Sequence, residues 1–337
     1  MEAYDILQAV ESDTGARVLA TVIHVEGHAY RKQGALMLLM ADGSTLGSIS
    51  PGCLEGDLAA YVPGVWESQK PQMVEYDMRP ADDFGWGETI GCGGLIRILL
   101  EPLAGELLVN LLVVKNRLDC GEVVELIRTY TDGYLDIRYA LRGEGMDEQG
   151  HSASSVREPF RSMTSTLFRP KPRVIVFGAN GDAVPLVQMT ASSGFRVVVT
   201  DWRESFCNAE RFPGVETMVD LPEALVDKLA LHERDYVVIM SHQFEKDAAF
   251  FRGIMAYDLH YLGIMGSKER TAKMLEGFER PDWLHAPIGL NIGSEGAFEN
   301  AISIVAELIA IKRSRDGVSV CSTSFSQGRD LGGLRSW

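Results

Sequence analysis

Basic residues are scarce in this chain: 32 Lys and Arg stand against 47 Asp and Glu, a net charge of −15 over 337 residues. A mean field of that sign repels a phosphate backbone, so no nucleic-acid partner is expected and any anionic ligand has to be held by a local site. Cysteine is scarce as well. Cys53, Cys92, Cys120, Cys207 and Cys321 are odd in number and lack C-x-x-C spacing, which argues against a disulfide framework and against a zinc or iron-sulfur site. Free thiols are expected. Long apolar runs are missing: stretches such as Leu107 to Val114 are too short for a membrane span, and Met1 to Glu11 has neither a basic n-region nor an apolar h-region. The expectation is a cytoplasmic protein with no membrane partner. Internal repeats and low-complexity tracts are absent too.

What is present suffices for two ordinary cores, since 46% of the residues are hydrophobic and the length fits roughly two domains. Asp5 to Val10 reads as a short helix. Arg17 to His24, Ala35 to Met40, Gln72 to Met78 and Gly94 to Leu100 read as strands, making residues 1–141 a β-rich α/β domain. Glu106 to Leu118 has helical spacing. Glu122 to Tyr130 and Tyr134 to Leu141 flank Thr131-Asp132-Gly133, a hairpin signal. Residues 142–171 turn polar and are taken as a linker.

From Pro172 apolar runs of strand length alternate with helical patterns. The strands are Arg173–Gly178, Phe195–Asp201, Asp235–His242 and His260–Gly266. The helices are Ala183–Ser193, Leu221–Leu231, Phe244–Ala256, Ser267–Phe278 and Gly296–Lys312. Strands apolar on both faces and separated by helices predict a Rossmann-like, doubly wound parallel sheet over residues 172–313, followed by a loose Ser- and Gly-rich tail at 314–337.

The first strand of that half runs into Gly178-Ala179-Asn180-Gly181-Asp182-Ala183 and then a helix, and Asp201 ends the next strand. This is the setting of a dinucleotide fingerprint, with Asp201 placed for a ribose contact or, alternatively, as a strand-end cap. The details fit less well. Asn180 replaces the second glycine, and Asp182 puts a carboxylate at the positive end of the helix dipole, where a diphosphate would sit. A strand-to-helix turn with no pyrophosphate on it is the competing reading. Ligands of such sheets lie outside the carboxyl ends of the strands, so Asp201 and Arg203, Ser241 and His242, and Gly266, Ser267 and Lys268 are the residues to inspect. Ser267 opens a helix whose N-H groups could receive a phosphate, with Lys268 and Arg270 to supply charge. His242 is a candidate base, ligand contact or helix cap.

In the N-terminal half two cysteines lie in glycine-rich turns, Ser50-Pro51-Gly52-Cys53-Leu54-Glu55-Gly56-Asp57 and Gly91-Cys92-Gly93-Gly94. Glycine neighbours imply close backbone approach, and a thiolate is a soft ligand for a metal or a reactive sulfur. A small buried residue at a tight turn is the alternative for each. His24 and His28 have helical metal-ligand spacing, but Gly27 and the preceding strand argue against a metal pair. Arg31 and Lys32 are candidates for an anion contact or a solvated basic turn.

Several motifs in one order resemble the XdhC/CoxI accessory proteins of molybdenum hydroxylases. They are Val25 to Lys32, Gly47 to Gly56, Cys92-Gly93-Gly94, the Gly178 turn, Asp201 with Arg203, Met240-Ser241-His242 with Asp247, Gly263 to Lys268, Ala286 to Gly293 and Ala306 to Ile309. Asn180, Asn291 and Gly296-Ala297 depart from the usual pattern. The resemblance implies a protein similar to chaperones rather than enzymes, which binds molybdenum cofactor as molybdopterin or its nucleotide form. Such a protein shields the cofactor while a cysteine desulfurase installs its terminal sulfur, and delivers it to an apo xanthine dehydrogenase-type hydroxylase. The resemblance also implies a homodimer, and cofactor-binding roles for Cys53, Glu55, Cys92, Gly178, Asn180, Asp182, Asp201, Arg203, His242, Gly266, Ser267 and Lys268, with Cys53 and Cys92 nearest the molybdenum or its sulfur. The alternative is an NAD(P)-dependent oxidoreductase. That the chain is itself the dehydrogenase is disfavoured by its length and by the lack of a ferredoxin-like cysteine run.

Overall fold

The computed structural model describes residues 2–12, 15–79, 94–130, 136–143 and 162–315. Cys92 and Cys321 lie outside them, as does the turn expected at Thr131-Asp132-Gly133. The chain divides into two compact units, Met1–Lys171 and Pro172–Trp337.

In the first unit β1 (Arg17–Glu26) is central to a five-stranded antiparallel sheet with β2 (Leu36–Met40), β3 (Thr45–Gly47), β4 (Gln72–Asp77) and β5 (Leu95–Pro102), in the order β3-β2-β1-β5-β4. Successive side chains of a strand point to opposite faces, and β1 is apolar on both. Val18, Ala20 and Val22 enter one core with α2 (Glu55–Ala60) and α3 (Val62–Ser68). Leu19 enters the other with α1 (Glu2–Ser12) and α4 (Gly105–Asp119).

A second sheet of β7 (Ile137–Gly143), β6 (Val124–Tyr130) and β8 (Ser162–Phe168), in that order, contributes Val124, Leu126 and Phe168 to the core of α1 and α4. The stretch expected to be a linker thus carries β8, which pairs with β6 along its whole length. Its alternation of Thr166 and Phe168 inward with Met163, Ser165 and Leu167 outward is obscured by polar composition. Arg128 of β6 and Glu101 of β5 form an ion pair with neither side chain exposed to solvent, 2.9 Å apart. Thr166 accepts a further hydrogen bond from Arg128 at 3.0 Å, and Tyr139 donates to Glu101 at 2.9 Å. A buried pair persists only when its remaining polar valences are met in this way.

The second unit is a six-stranded parallel sheet of order β11-β10-β9-β12-β13-β14. Its strands are β9 (Arg173–Phe177), β10 (Arg196–Asp201), β11 (Glu216–Val219), β12 (Tyr236–Ile239), β13 (Tyr261–Ile264) and β14 (Leu284–His285). Numbered within the unit this is 3-2-1-4-5-6, the doubly wound Rossmann order, with its switch point between β9 and β12. Val174 and Val176 pack under α5 (Ala183–Ser192) and α9 (Gly296–Arg315). Ile175 and Phe177 pack under α6 (Pro222–Leu229) and α7 (Phe244–Ile254), with Phe250 stacked on Phe177 at 4.2 Å. The short helix α8 (Lys268–Met274) follows β13. Among the described residues no helix is long and apolar enough to cross a membrane.

Candidate functional site

The strand ends on either side of the switch point are tied together by protein groups. Gly178 has φ of 114°, and a Cβ there would lie 2.5 Å from Ser241 Cα. That glycine is therefore required by the closeness of the two strand ends, whatever binds outside them. Asn180 follows. Its Nδ2 donates to the Met240 carbonyl at 2.5 Å, and its Oδ1 accepts from the backbone N-H groups of Asp182 and Ala183 at 3.0 and 3.2 Å. The first donors of α5 are thereby satisfied from within the turn. Across the switch point, His242 Nε2 lies 3.2 Å from Asp182 Oδ2, with both side chains substantially exposed. His242 holds a left-handed backbone, φ 65°, an uncommon state outside glycine that often marks a functional position. Residues read one by one from the sequence are here brought into a single group.

Asp201 is placed differently from the ribose contact expected of it. Its side chain is fully buried. Oδ2 accepts from Ala179 N at 2.8 Å and Arg203 Nη2 at 2.8 Å, and Oδ1 accepts from Arg203 N and Nε, each at 2.9 Å. Burial pushes the Asp201 carboxyl upward, but these hydrogen bonds, those of Arg203 first, outweigh it and hold the group below the usual carboxylate range. The Arg203 guanidinium in turn lies 4.4 Å from the Trp202 ring centroid and 4.2 Å from that of Phe206. Arg211, which no motif singles out, reaches back to the Ala179 carbonyl at 3.0 Å.

At the ends of β12 and β13 a second network forms. Asp247 on α7 is buried; it accepts from the Ser241 hydroxyl and from Arg270 Nη2, the latter at 2.5 Å. Burial raises its carboxyl despite both bonds. Gly266, φ 149°, is overlain by the Arg270 side chain, whose Cδ would be 2.7 Å from a Cβ. Ser267 caps α8 by accepting from Arg270 N at 3.2 Å, so its hydroxyl serves the helix, and Lys268 is exposed. Beyond β14, Glu307 accepts from Tyr261 at 2.6 Å and from Gly289 N at 2.9 Å and lies 3.1 Å from His285 Nδ1. Burial works upward on Glu307 as well, and these partners hold it low. A carboxylate beside Ile304, Val305 and Leu308 on a buried helix face was the sequence signal for this anchor.

In the first unit Cys53 is half-buried in a small cleft with Val22, Tyr30, Arg31, Ser50 and Met78. Glu55 turns inward to organise that turn. It accepts from the backbone N-H groups of Ser50 at 2.7 Å and Ile49 at 3.2 Å and from the Ser50 hydroxyl. The Ser50 hydroxyl accepts from Leu54 N at 3.1 Å. Burial opposes charge on Glu55, yet these donors keep it below the ordinary range. Gly94, two residues beyond Cys92, is pressed against the β1 end: a Cβ there would lie 2.6 Å from the Glu26 carbonyl and 2.5 Å from that of His28. Cys207 is a different kind of thiol. It is buried under the Rossmann sheet and donates to the Val199 carbonyl at 3.3 Å, and burial pushes it up to about 11, so it stays protonated and inert.

The model of the XdhC Rossmann domain matches residues 174–308, and that of the XdhC and CoxI family matches residues 12–77. A Bacillus subtilis (strain 168) protein, named as a probable xanthine dehydrogenase subunit, is 33% identical over 330 residues, covering 92% of this chain and 97% of that protein. The chain belongs to the XdhC and CoxI family. The Escherichia coli (strain K12) "Molybdenum cofactor insertion chaperone PaoD" is 23% identical over 314 residues, 91% of this chain and 86% of its own. The crystal structure of a xanthine dehydrogenase from Bacillus halodurans is similar at TM-score 0.83 and 38% identity, over 95% of this chain and 98% of that one. The Gly178 turn, the Asp247 network and the Gly289 anchor all lie inside the matched XdhC Rossmann region. Cys53 and Glu55 lie inside the matched XdhC and CoxI region.

Proposed function

We propose that this protein is an accessory factor that binds molybdenum cofactor, as molybdopterin or its nucleotide form, and assists its sulfuration and its insertion into a xanthine dehydrogenase-type hydroxylase. The observation that carries the reading is the similarity, over 91% of the chain and so across both units, to a protein named for inserting that cofactor. The names that include xanthine dehydrogenase fit such a role as names taken from the client.

The residues present suit the cofactor. Cys53 offers a soft thiol in a turn whose shape is fixed by Glu55 rather than by the ligand. With Cys92 it would meet the molybdenum or its terminal sulfur. Taken by itself, the second unit offers the exposed Asp182 and His242 to polar groups of the pterin and the exposed Lys268 to its phosphate, while Gly178, Asn180, Asp201, Arg203, Gly266 and the helix-capping Ser267 set the backbone that presents them. The cofactor, when bound, supplies the redox centre of the client. This chain holds and hands it on. A cysteine desulfurase and the apo-hydroxylase are the partners this implies, and a homodimer is the proposed assembly.

The test is titration of the purified protein with molybdopterin, followed by reconstitution of an apo-hydroxylase. Binding should fall at least tenfold in Cys53→Ala or Cys92→Ala; unchanged binding in both sinks the thiol assignment. An NAD(P)-dependent oxidoreductase is the second reading, favoured by the strand order. Stoichiometric NAD(P) binding with turnover would establish it.

A further inference from the structure

We infer that Asn180 and Asp182 are specificity-determining residues that fill the diphosphate subsite of this Rossmann unit with the chain's own groups, so that it does not take a nicotinamide or adenine dinucleotide in the usual pose. Dinucleotide recognition in such a fold uses three things: free N-H groups at the start of the first helix, open space over a glycine, and an acidic residue at the end of the second strand with oxygens free for ribose hydroxyls. Each is consumed here.

The N-H groups of Asp182 and Ala183 already donate to Asn180 Oδ1, at 3.0 and 3.2 Å. A phosphate oxygen could take their place only by evicting Asn180, which also breaks its 2.5 Å bond to the Met240 carbonyl. The place of the second glycine is occupied by that same side chain. At the ribose end, both Asp201 oxygens are taken by Ala179 N and Arg203, and Asp201 is fully buried. The Asp182 carboxylate then stands at the positive end of α5 and has His242 at 3.2 Å as partner, which places a second negative charge against any incoming diphosphate. The one feature that looks most like a fingerprint, Gly178, is explained without a ligand, by its approach to Ser241.

Exclusion of dinucleotides does not depend on the maturation role, which molybdopterin titration of the same preparations tests separately. The experiment is calorimetric titration of the full chain with ADP, NAD and NADP, and of Asn180→Gly and Asn180→Gly/Asp182→Ser. The native protein should show no saturable binding into the millimolar range, and the double variant should gain at least tenfold in ADP affinity. Micromolar, stoichiometric binding by the native chain overturns the inference. So does a folded double variant, with native circular dichroism and melting, that gains nothing. If loss of the Met240 contact unfolds both variants, the native chain carries the test: absence of saturable ADP, NAD and NADP binding into the millimolar range supports the inference, and micromolar stoichiometric binding of any of them overturns it.

Discussion

Arg203 closes on both oxygens of Asp201, with Nε 2.9 Å from Oδ1 and Nη2 2.8 Å from Oδ2. An acidic residue that ends the second strand of a Rossmann unit is thereby turned from a ligand contact into a brace between the glycine turn and the loop after β10. Asp201→Ala should destabilise the second unit by about 2 to 3 kcal/mol, below the roughly 3 to 5 of a fully buried pair because Arg203 is a quarter exposed. Urea unfolding measures it. A ribose-binding Asp201 would cost little stability when removed.

Acid should act on this unit through the same groups. Asp201 and Glu307 are both held below their ordinary values of 3.8 and 4.5. Groups lowered on folding contribute stability that is complete above those values and is lost as the pH falls through the lowered ones. Asp247, raised by burial, works in the opposite sense, its share declining as the pH rises from 3.8. Thermal midpoints of the native protein should therefore drop below about pH 4.5, and the drop should be shallower in Asp201→Asn and in Glu307→Gln. Equal slopes in all three would remove these carboxylates from the account.

Much of the second unit is legible in the sequence, and the elements that are not share physical causes. The parallel strands are legible because each is buried on both faces and reads as an unbroken apolar run. β11 and β14 are four and two residues long, too short for a periodicity to register. α2 and α3 contain Gly56, Pro63 and Gly64, which read as breakers, and β8 hid in a polar stretch. The glycine turn is legible in the sequence, and so is the misfit of Asn180 and Asp182, but sequence spacing does not reveal that Arg203 folds onto Asp201 or that His242 meets Asp182. Those are side-chain directions after a strand end, fixed by tertiary neighbours.

Gly178→Ala separates topology from ligand binding. Left-handed backbone and the 2.5 Å approach to Ser241 should together cost about 2 to 4 kcal/mol in the ligand-free protein, read by denaturant midpoint. A glycine kept only for a cofactor would leave that midpoint in place.

Glu55→Ala removes the acceptor that gathers Ile49 N, Ser50 N and the Ser50 hydroxyl. The Cys53 turn should loosen, with a loss of about 1 to 2 kcal/mol and alkylation of Cys53 by iodoacetamide several times faster than in the native chain. Peptide mapping assigns the label. An unchanged Cys53 rate would mean that the turn keeps its shape without Glu55.

β6 is the middle strand of its sheet, yet its neighbour β8 lies more than thirty residues further along the chain and ends at Phe168, just before the second unit begins at Pro172. Phe168 also fills the core beneath α1 and α4. In N-to-C synthesis, therefore, one edge of β6 has no partner until β8 has been made, and the sheet of the first unit is completed only once Phe168 has emerged. Until β8 is made, that side of β6 is an unpaired strand edge of the kind that can pair with another chain.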